Sequence, residues 1–365
     1  ISTKELSDKF ITAFMEDTAQ LGIKPATQNP RVINYMDEII AFVSILIDKG
    51  FAYVSEGDVY FRVTKSNNYA KLANKTLEDL EIGASGRTDA ETDRKEDPLD
   101  FALWKAAKEG EISWESPWGP GRPGWHIECS VMATEILGDT IDIHGGGADL
   151  EFPHHTNEIA QSEAKTGKTF ANYWMHNGFV NVDNEKMSKS LGNFVTVHDM
   201  LKTVDGQVLR FFLATQQYRK PINFTEKAIH DAEVNLKYLK NTHSLPLTEE
   251  VSQAELQAYL DAFQAAMDDD FNTANGVTVL FDMAKWINSG NYDETVKNAF
   301  EKILQVFGIV FEEETLDEDI EKLIEERQAA RANKDFATAD RIRDELAAQG
   351  IKLLDTKEGV RWTRD

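Results

Sequence analysis

Three residues of types that bind metal ions lie in two segments predicted to be helical: Cys129 in GRPGWHIECS, and His154 and Glu158 in FPHHTNEIAQ. His154 and Glu158 are four positions apart and therefore share one face of a helix. One thiolate, one imidazole and one carboxylate form a borderline-soft ligand set that suits zinc. A buried apolar cysteine, a histidine at a helix start and a surface acid would also explain these residues, so spacing alone leaves a zinc site open.

A second candidate site is the segment NEKMSKSLGN, residues 184–193, which follows a strand-like stretch and precedes a helix. It carries Lys186 and Lys189, with Ser188 between them. A mobile basic loop of this kind can fold over a triphosphate and stabilise the negative charge that develops on departing pyrophosphate. A basic surface loop without a ligand would have the same composition.

A third candidate is the end of the segment IDIHGGGAD, where His144 precedes Gly145 to Gly147 and Asp149 follows. Glycine at the carboxyl end of a parallel strand lets a ligand approach the backbone closely. A tight turn without a ligand would explain the glycines equally well.

The elements that would hold these residues alternate between helix and strand. We predict a helix over Trp125–Leu137 with Pro123 in its first turn, a strand in TIDIHGG, a helix from Pro153, and a strand in NYWMHNGFVNV. This alternation indicates an α/β fold with a parallel, doubly wound sheet. Helices at 3–20 and 31–49 and a hairpin in FAYVSEGDVYFRV precede it. After residue 193 the chain is predicted to be helical up to Gly350, with a terminal hairpin.

The composition sets limits on the class of protein. At 365 residues the chain is long enough for roughly two to four domains. Its one cysteine excludes an internal disulfide and indicates a reducing compartment. A net charge of −24 argues against non-specific nucleic-acid binding. From Glu249 to Glu326 acids far outnumber bases, whereas from Arg327 to Asp365 bases slightly outnumber acids, so the last residues are the less repulsive region for a polyanion.

Taken together, these segments resemble the cysteinyl-tRNA synthetases, a family of class I aminoacyl-tRNA synthetases. KMSKS at 186–190 matches the second signature of class I. GWHIECS, HGGGADLEFPHHTNEIAQS, NYWMHNGFV and EKMSKSLGNF match this family in order. The resemblance continues through DDDFNT at 268–273 to RQAARANKDFATADRIRDEL and covers essentially the whole chain.

The resemblance implies a ligase that activates cysteine with ATP and Mg2+ to cysteinyl-adenylate and transfers it to tRNA(Cys). Cys129, His154 and Glu158 match three of the four family ligands of a zinc ion (Zn2+) that recognises the substrate thiol. Trp125 matches the floor of the cysteine pocket.

The resemblance also assigns the other candidate residues. Lys189, with Lys186 and Ser188, matches the catalytic loop that contacts ATP, and His144 and Asp149 fall at the ATP-binding and adenylate-binding edge. In the terminal strand, the cation–aromatic–cation cluster suited to unstacked anticodon bases consists of Arg361, Trp362 and Arg364. Trp362 could instead close the core of its own small domain.

The family's first signature, its first zinc cysteine and its first strand have no counterpart in the chain, so we expect an incomplete enzyme. The expected fold is an incomplete Rossmann-like parallel sheet of the class I synthetase type, followed by an α-helical bundle and a small C-terminal anticodon-binding domain. We expect a cytoplasmic monomer without a membrane partner. The expected parts are a remnant of the first half of the nucleotide fold (1–30), a connective insertion (31–115), the second half of the catalytic fold (116–185), the lysine-loop and stem-contact region (186–225), a helical bundle (226–312) and the anticodon domain (313–365).

Three other functions would account for some of these features. A mycothiol-type ligase joins cysteine to an amino-sugar and shares the zinc and lysine motifs. Such a ligase lacks a long anticodon-recognising tail, and residues 316–365 resemble that tail, which favours the synthetase. A non-catalytic RNA-binding paralogue would have no physical need of intact zinc ligands and lysines. An unrelated zinc hydrolase is disfavoured by the absence of a His-Glu-x-x-His arrangement.

Overall fold

The structure, a computed structural model, describes residues 1–67, 69–76, 94–188, 190–249, 251, 253–311, 318–356 and 359–364. The chain divides into two compact units, Ile1–Ile309 and Val310–Asp365. Within the described residues, no helix combines the length and the apolar character needed to cross a bilayer.

The first helix of unit 1, α1 (Thr3–Gln20), begins with a capping box. The Ser2 hydroxyl accepts a hydrogen bond from the Glu5 backbone N–H, and the Glu5 carboxylate accepts one from the Ser2 N–H. The helix is confirmed, but its apolar stripe is largely open to solvent, with Leu6, Phe10 and Phe14 between 45% and 61% exposed.

A four-stranded antiparallel sheet packs against helix α2 (Met36–Asp48). The predicted hairpin is confirmed, with its turn at Glu56 and Gly57. The apolar face of α2, including Phe42 and Leu46, is buried together with residues of the central strands. The strands in order are β1 (Ala52–Ser55), β2 (Asp58–Phe61), β3 (Phe101–Ala106) and β4 (Gly121–Pro123).

The prediction that Pro123 begins a helix is wrong. Pro123 lies in β4 opposite Trp104 of β3, and helix α3 begins four residues later, at Ile127–Leu137. Proline suits an edge strand because it has no N–H to contribute to the ladder. The preference of proline for a first helical turn was therefore outweighed by strand pairing.

The predicted alternation of helix and strand is confirmed after β4. Strands β5 (Ile141–Gly147) and β6 (Ala171–Asn177) pair in parallel, and helix α4 (Thr156–Thr166) connects them. Ile141, Phe170 and Ala171 form the buried cluster beneath them, with Ala133 of α3 packed against it. This βαβ unit brings the carboxyl ends of β5 and β6 to one edge.

The strand predicted over NYWMHNGFVNV is broken at Gly178, and a short three-stranded sheet follows. Strand β7 (Val180–Val182) pairs antiparallel with β8 (Glu185–Lys186) and parallel with β9 (Ile222–Phe224). The prediction of continuous helix after Asn193 missed β9. Its three residues show too little alternation to indicate a strand without their partner.

The remainder of unit 1 is helical, as predicted. Polar side chains cap five of the helix starts: Thr196, Asp205, Thr225, Asn272 and Asp293 each accept hydrogen bonds from the first-turn backbone. The helices are α5 (Val197–Met200), α6 (Gly206–Ala214), α7 (Glu226–His243), α8 (Gln253–Asp268), α9 (Thr273–Asn288) and α10 (Glu294–Val306).

Unit 2 contains helices α11 (Glu318–Ala332) and α12 (Phe336–Ala348) and the predicted terminal hairpin, β10 (Ile351–Thr356) with β11 (Gly359–Arg364). The unit has an apolar core of its own, consisting of Ile320, Ile324, Ile342, Leu346 and Ile351.

Candidate functional site

A glycine turn between β4 and α3 positions Trp125 and Cys129. The Gly124 N–H donates to the Leu103 carbonyl at 2.8 Å. A Cβ atom at residue 124 would lie 2.0 Å from the Ala102 carbonyl oxygen, so only glycine permits this approach. Trp125 lies before α3 rather than on it, and Cys129 lies in the first turn of the helix, half-buried.

The turn Glu151–His155 and helix α4 place the other two predicted ligands. His154 and Glu158 are four residues apart, as their shared face requires, and both are buried. His154 Nε2 lies 3.1 Å from Glu158 Oε1. One donor atom each from Cys129, His154 and Glu158 lies within 4.8 Å of the other two. The structure therefore brings the three residues to one point.

Glu158 is a carboxylate inside the protein, with 1% of the residue exposed. His144 Nε2 lies 3.3 Å from its Oε2, yet no described residue is aligned to donate a hydrogen bond to that oxygen. A buried carboxylate oxygen without a hydrogen bond is energetically costly, and a bound ion, ligand or water would relieve that cost.

The charge states around Glu158 favour a cation. Burial acts to raise the pKa of Glu158, but the imidazoles of His144 and His154 outweigh it, and the pKa lies below its usual value. Burial lowers the pKa of His126 and of His155 to about 4, so both rings are neutral near pH 7. Burial, together with Glu158 and Glu128, raises the pKa of the Cys129 thiol to about 12. A bound cation would reverse this effect on the thiol.

Two histidines around the site were not predicted to take part in it. His126 Nδ1 lies 2.8 Å from His154 Nδ1, and His176 Nε2 lies 2.8 Å from His155 Nδ1. A second group of donors, from His144, His155 and Glu158, also lies within 4.8 Å. His126 lies in the motif GWHIECS and His176 in NYWMHNGFV. The distance of these motifs from FPHH along the sequence does not indicate that the two histidines contact His154 and His155.

Trp125 borders the metal-ligand cluster on its open side. Its ring centroid lies 4.7 Å from that of His154 and 5.4 Å from that of His126. The side chain is 63% exposed. An exposed indole beside a buried polar cluster provides an apolar surface for a small ligand.

The carboxyl ends of β5 and β6 form an open edge next to the cluster. Gly145 to Gly147 pair with Met175 to Asn177. Half-buried His144 directs its ring toward Glu158, while Asp149 is exposed in the turn that follows β5. The structure thus places His144 with the metal-ligand residues and Asp149 at the rim.

The predicted lysine loop, residues 184–193, begins in the hairpin that follows this edge. Lys186 in β8 is exposed, and its Nζ lies 4.2 Å from the ring centroid of Phe179. Ser188 N–H donates to Asn193 Oδ1 at 2.9 Å, so the described part of the loop has a defined turn. Lys189 lies outside the described residues.

The predicted RNA-binding residues Arg361, Trp362 and Arg364 all lie in β11 of unit 2. Trp362 is opposite Leu353 and packs partly buried against the core of the unit. This is the alternative role considered for the tryptophan, and the part that remains exposed is still available to a ligand.

The fold and this site define a class of protein. A family model described as the class I tRNA synthetase (C) catalytic domain matches residues 1–234. The fold is similar to that of Mycobacterium tuberculosis methionyl-tRNA synthetase in complex with methionyl-adenylate, with a TM-score of 0.57 at 15% identity over 84% of this chain and 76% of that one. A putative arginyl-tRNA synthetase from Campylobacter jejuni gives 0.54 at 15% identity over 84% and 68%. These define a class I aminoacyl-tRNA synthetase fold.

Relatives and the remaining family models narrow the class. A DALR domain matches residues 262–312, and a cysteinyl-tRNA ligase anticodon-binding domain matches 313–362. Cysteine–tRNA ligases of Streptococcus agalactiae serotype V and Streptococcus pyogenes serotype M6 are each 80% identical over all of this chain and 82% of their own length. The chain belongs to the cysteinyl-tRNA synthetase family, as its sequence motifs predicted.

Proposed function

We propose that this protein joins cysteine to tRNA(Cys) through cysteinyl-adenylate, and that Cys129, His154 and Glu158 hold a zinc ion that recognises the substrate side chain. The observation that carries this proposal is the convergence of one donor atom from each residue, within 4.8 Å of one another, at a carboxylate buried in the protein. Sulfur, imidazole nitrogen and carboxylate oxygen together are the ligand types that zinc accepts.

Recognition of cysteine is the reason for a metal in this site. Cysteine and serine differ by one atom, and a purely steric pocket separates such pairs by only about 1–3 kcal/mol. When bound, zinc takes the substrate sulfur as a ligand and so favours a thiol over a hydroxyl. Trp125, exposed beside His154, would cover the apolar part of the bound amino acid.

Activation needs ATP with Mg2+ at the edge formed by β5 and β6. Ligands bind at the carboxyl ends of parallel strands in folds of this kind, and Gly145 to Gly147, His144 and Asp149 border that edge. Lys186 and Lys189, with Ser188, would stabilise the charge on pyrophosphate as the cysteine carboxylate attacks the α-phosphorus. The exposed position of Lys186 supports this role, because its ammonium is accessible to an anionic ligand.

Transfer requires tRNA, for which we propose Arg361, Trp362 and Arg364 in unit 2 as contacts. The match of residues 313–362 to an anticodon-binding domain supports this assignment. It also favours tRNA over a small amine as the acceptor of cysteine.

The test is cysteine-dependent ATP–pyrophosphate exchange and metal analysis of the full-length protein and of Glu158→Gln. We expect roughly one zinc per wild-type chain. We also expect loss of both zinc and cysteine-over-serine selectivity in the variant, because the amide is a poor zinc ligand. Glu135→Gln, at a surface carboxylate of α3 paired with Lys165, is the matched control. Full zinc content and selectivity in Glu158→Gln would remove Glu158 from the site.

A further inference from the structure

The turn that joins α8 to α9, in the segment DDDFNT, has an unusual backbone. Asp270 and Phe271 have φ angles of 53° and 51°, a left-handed conformation that aspartate tolerates but that is rare for a bulky residue such as phenylalanine. The turn is closed by hydrogen bonds from Phe271 N–H to the Met267 carbonyl and from Asn272 N–H to the Ala266 carbonyl. Neither of these bonds uses the Asp270 carboxylate.

The Asp270 carboxylate binds two residues of the segment that follows α6. Arg219 Nε donates to Oδ2 and Arg219 Nη2 donates to Oδ1, at 2.5 and 3.1 Å, and the Tyr218 hydroxyl donates to Oδ1 at 2.9 Å. The Arg219 guanidinium also lies 5.1 Å from the Tyr218 ring centroid. A two-pronged arginine–carboxylate contact fixes orientation as well as distance.

The backbone of this arginine-bearing segment supports the end of β6 and the start of β7. The Tyr218 carbonyl accepts a hydrogen bond from Gly178 N–H at 2.7 Å, and Ile222 N–H donates to the Phe179 carbonyl at 2.8 Å. A Cβ atom at residue 178 would lie 2.4 Å from the carbonyl carbon and oxygen of Lys220. The two backbones are therefore in direct contact.

This support continues to the lysine loop. Strand β9 aligns Ile222 with Val180 and Phe224 with Val182, and β7 in turn pairs Asn181 with Lys186. A side-chain pair adds to the alignment, since Asn223 Nδ2 donates to Asn184 Oδ1 and Asn184 N–H donates to Asn223 Oδ1. A continuous series of hydrogen bonds thus joins Asp270 in the helical region to the hairpin that carries Lys186.

We propose that Asp270 is a positioning residue for the ATP-contacting lysine loop, acting through Arg219 and Tyr218 on the sheet formed by β7, β8 and β9. The proposal rests on the proposed function in that the loop is taken to contact ATP. On this proposal the segment DDDFNT determines the position of the lysine loop and does not itself contact a substrate. The Arg219 and Asp270 side chains are 55% and 46% exposed, so their ion pair adds little to global stability and can be removed without unfolding the protein.

The test variant is Asp270→Asn, because asparagine tolerates a left-handed backbone and keeps the turn while it loses the charge and one of the two carboxylate acceptors. Arg219→Lys is the reciprocal change, since it keeps the charge and loses the two-pronged geometry. Asp282→Asn, at an exposed carboxylate paired with Lys285 on α9, is the matched control.

In pyrophosphate exchange by the full-length protein, we expect Asp270→Asn to lower kcat/KM for ATP by about three- to fivefold, through displacement of the loop, since an exposed ion pair cannot shift the loop by more. The KM for cysteine should change by less than about twofold and zinc content should be unchanged, because the ligand cluster is not touched. The double variant, Asp270→Asn with Arg219→Lys, should have the same kcat/KM for ATP as either single variant, because the two substitutions remove the same interaction. Hydrogen–deuterium exchange at residues 178–187 should be faster than in the wild type, with 36–48 unaffected.

Faster hydrogen exchange confined to 266–275 would mean that Asp270 only stabilises its own turn, and the proposal would be wrong. Wild-type kinetics for ATP in Asp270→Asn would also overturn it. Absence of cysteine-dependent exchange in the unsubstituted protein would instead contradict the proposed function, and hydrogen exchange at 178–187 would then decide the positioning role by itself.

Discussion

The two lysines of the proposed ATP-contacting loop, Lys186 and Lys189, would act on the same developing charge, and the structure describes the surroundings of Lys186. Its ammonium lies over the Phe179 ring, an arrangement that holds the side chain near the sheet without neutralising it. An aromatic ring brings no counter-charge to the ammonium, so an anionic ligand can still bind it. Lys189 follows three residues later, and its proposed role in binding ATP comes from its position in the KMSKS motif.

Lys189→Ala should slow ATP–pyrophosphate exchange by about 2–4 kcal/mol of transition-state stabilisation, as loss of a single electrostatic group does elsewhere. Zinc content should remain as in the wild type, because no zinc ligand changes. Lys202→Ala, at an exposed lysine paired with Asp199, is the control and should exchange normally. Wild-type exchange by Lys189→Ala would remove that residue from the mechanism.

Part of the candidate site can be predicted from sequence, and the reason differs from residue to residue. His154 and Glu158 are placed together by helical periodicity alone. Cys129 joins them because α3 packs beside α4, a tertiary contact that only the family resemblance suggested. His126 and His176 were missed, because each contacts a histidine that belongs to a different element of the fold. Sequence spacing carries no information about such contacts.

At the scale of elements, a buried arginine on α11 of unit 2 contacts the terminal hairpin of the same unit. Arg327 is 4% exposed and makes a two-pronged contact with Asp355 of β10, at 2.9 Å for each bond. Arg331 also contacts Asp355. These hydrogen bonds connect α11 to the terminal hairpin and lower the pKa of Asp355 to about 2.

Because the pKa of Asp355 is lowered on folding, its contribution to stability is present above the ordinary aspartate pKa of about 4. It is lost as the pH falls toward 2. We expect the protection factors of amides in α11 and β10, that is, hydrogen exchange relative to the intrinsic rate at each pH, to fall over that range in the wild type. In Asp355→Asn, protection should already be low at pH 7 and should depend less on pH. Asp344→Asn, at an exposed acid near Arg343, should behave as the wild type does. An unchanged pH profile in Asp355→Asn would show that the contact does not stabilise the unit.

The elements that sequence predicted well are those with internal periodicity. Helix α1 and the hairpin of β1 and β2 have their own pattern and caps. Strands β3, β4 and β9 were missed because each is defined by a partner distant in sequence, and Pro123 was placed in a helix for the same reason. Short strands in such positions follow from tertiary context more than from local propensity.

At the scale of the whole molecule, the two compact units suggest separable functions. The proposed amino-acid site lies wholly within unit 1, and the proposed anticodon contacts lie wholly within unit 2. Each unit has an apolar core of its own. Deleting only the last strands would remove Ile351 from the core of unit 2, so the informative deletion is the complete unit.

Deletion of residues 310–365 from the full-length protein should leave cysteine-dependent ATP–pyrophosphate exchange close to normal. Aminoacylation of tRNA(Cys) should lose at least about tenfold in kcat/KM, equivalent to about 1.4 kcal/mol. The matched point variant is Trp362→Leu, which keeps an apolar group against the core and removes the stacking surface. Normal aminoacylation by the deleted protein would contradict a tRNA-binding role for unit 2.

The exposed ion pair between Arg219 and Asp270 makes the protein sensitive to its ionic surroundings. Mobile ions screen charges over about 8 Å at physiological ionic strength and over much shorter distances in concentrated salt. In a chain with a net charge of −24, counter-cations gather at the surface and compete with Arg219 for the carboxylate. The placement of the lysine loop would therefore become less well defined as potassium concentration rises. The difference between the wild type and Asp270→Asn should shrink accordingly, so the salt content of the cell would help to set the efficiency of activation.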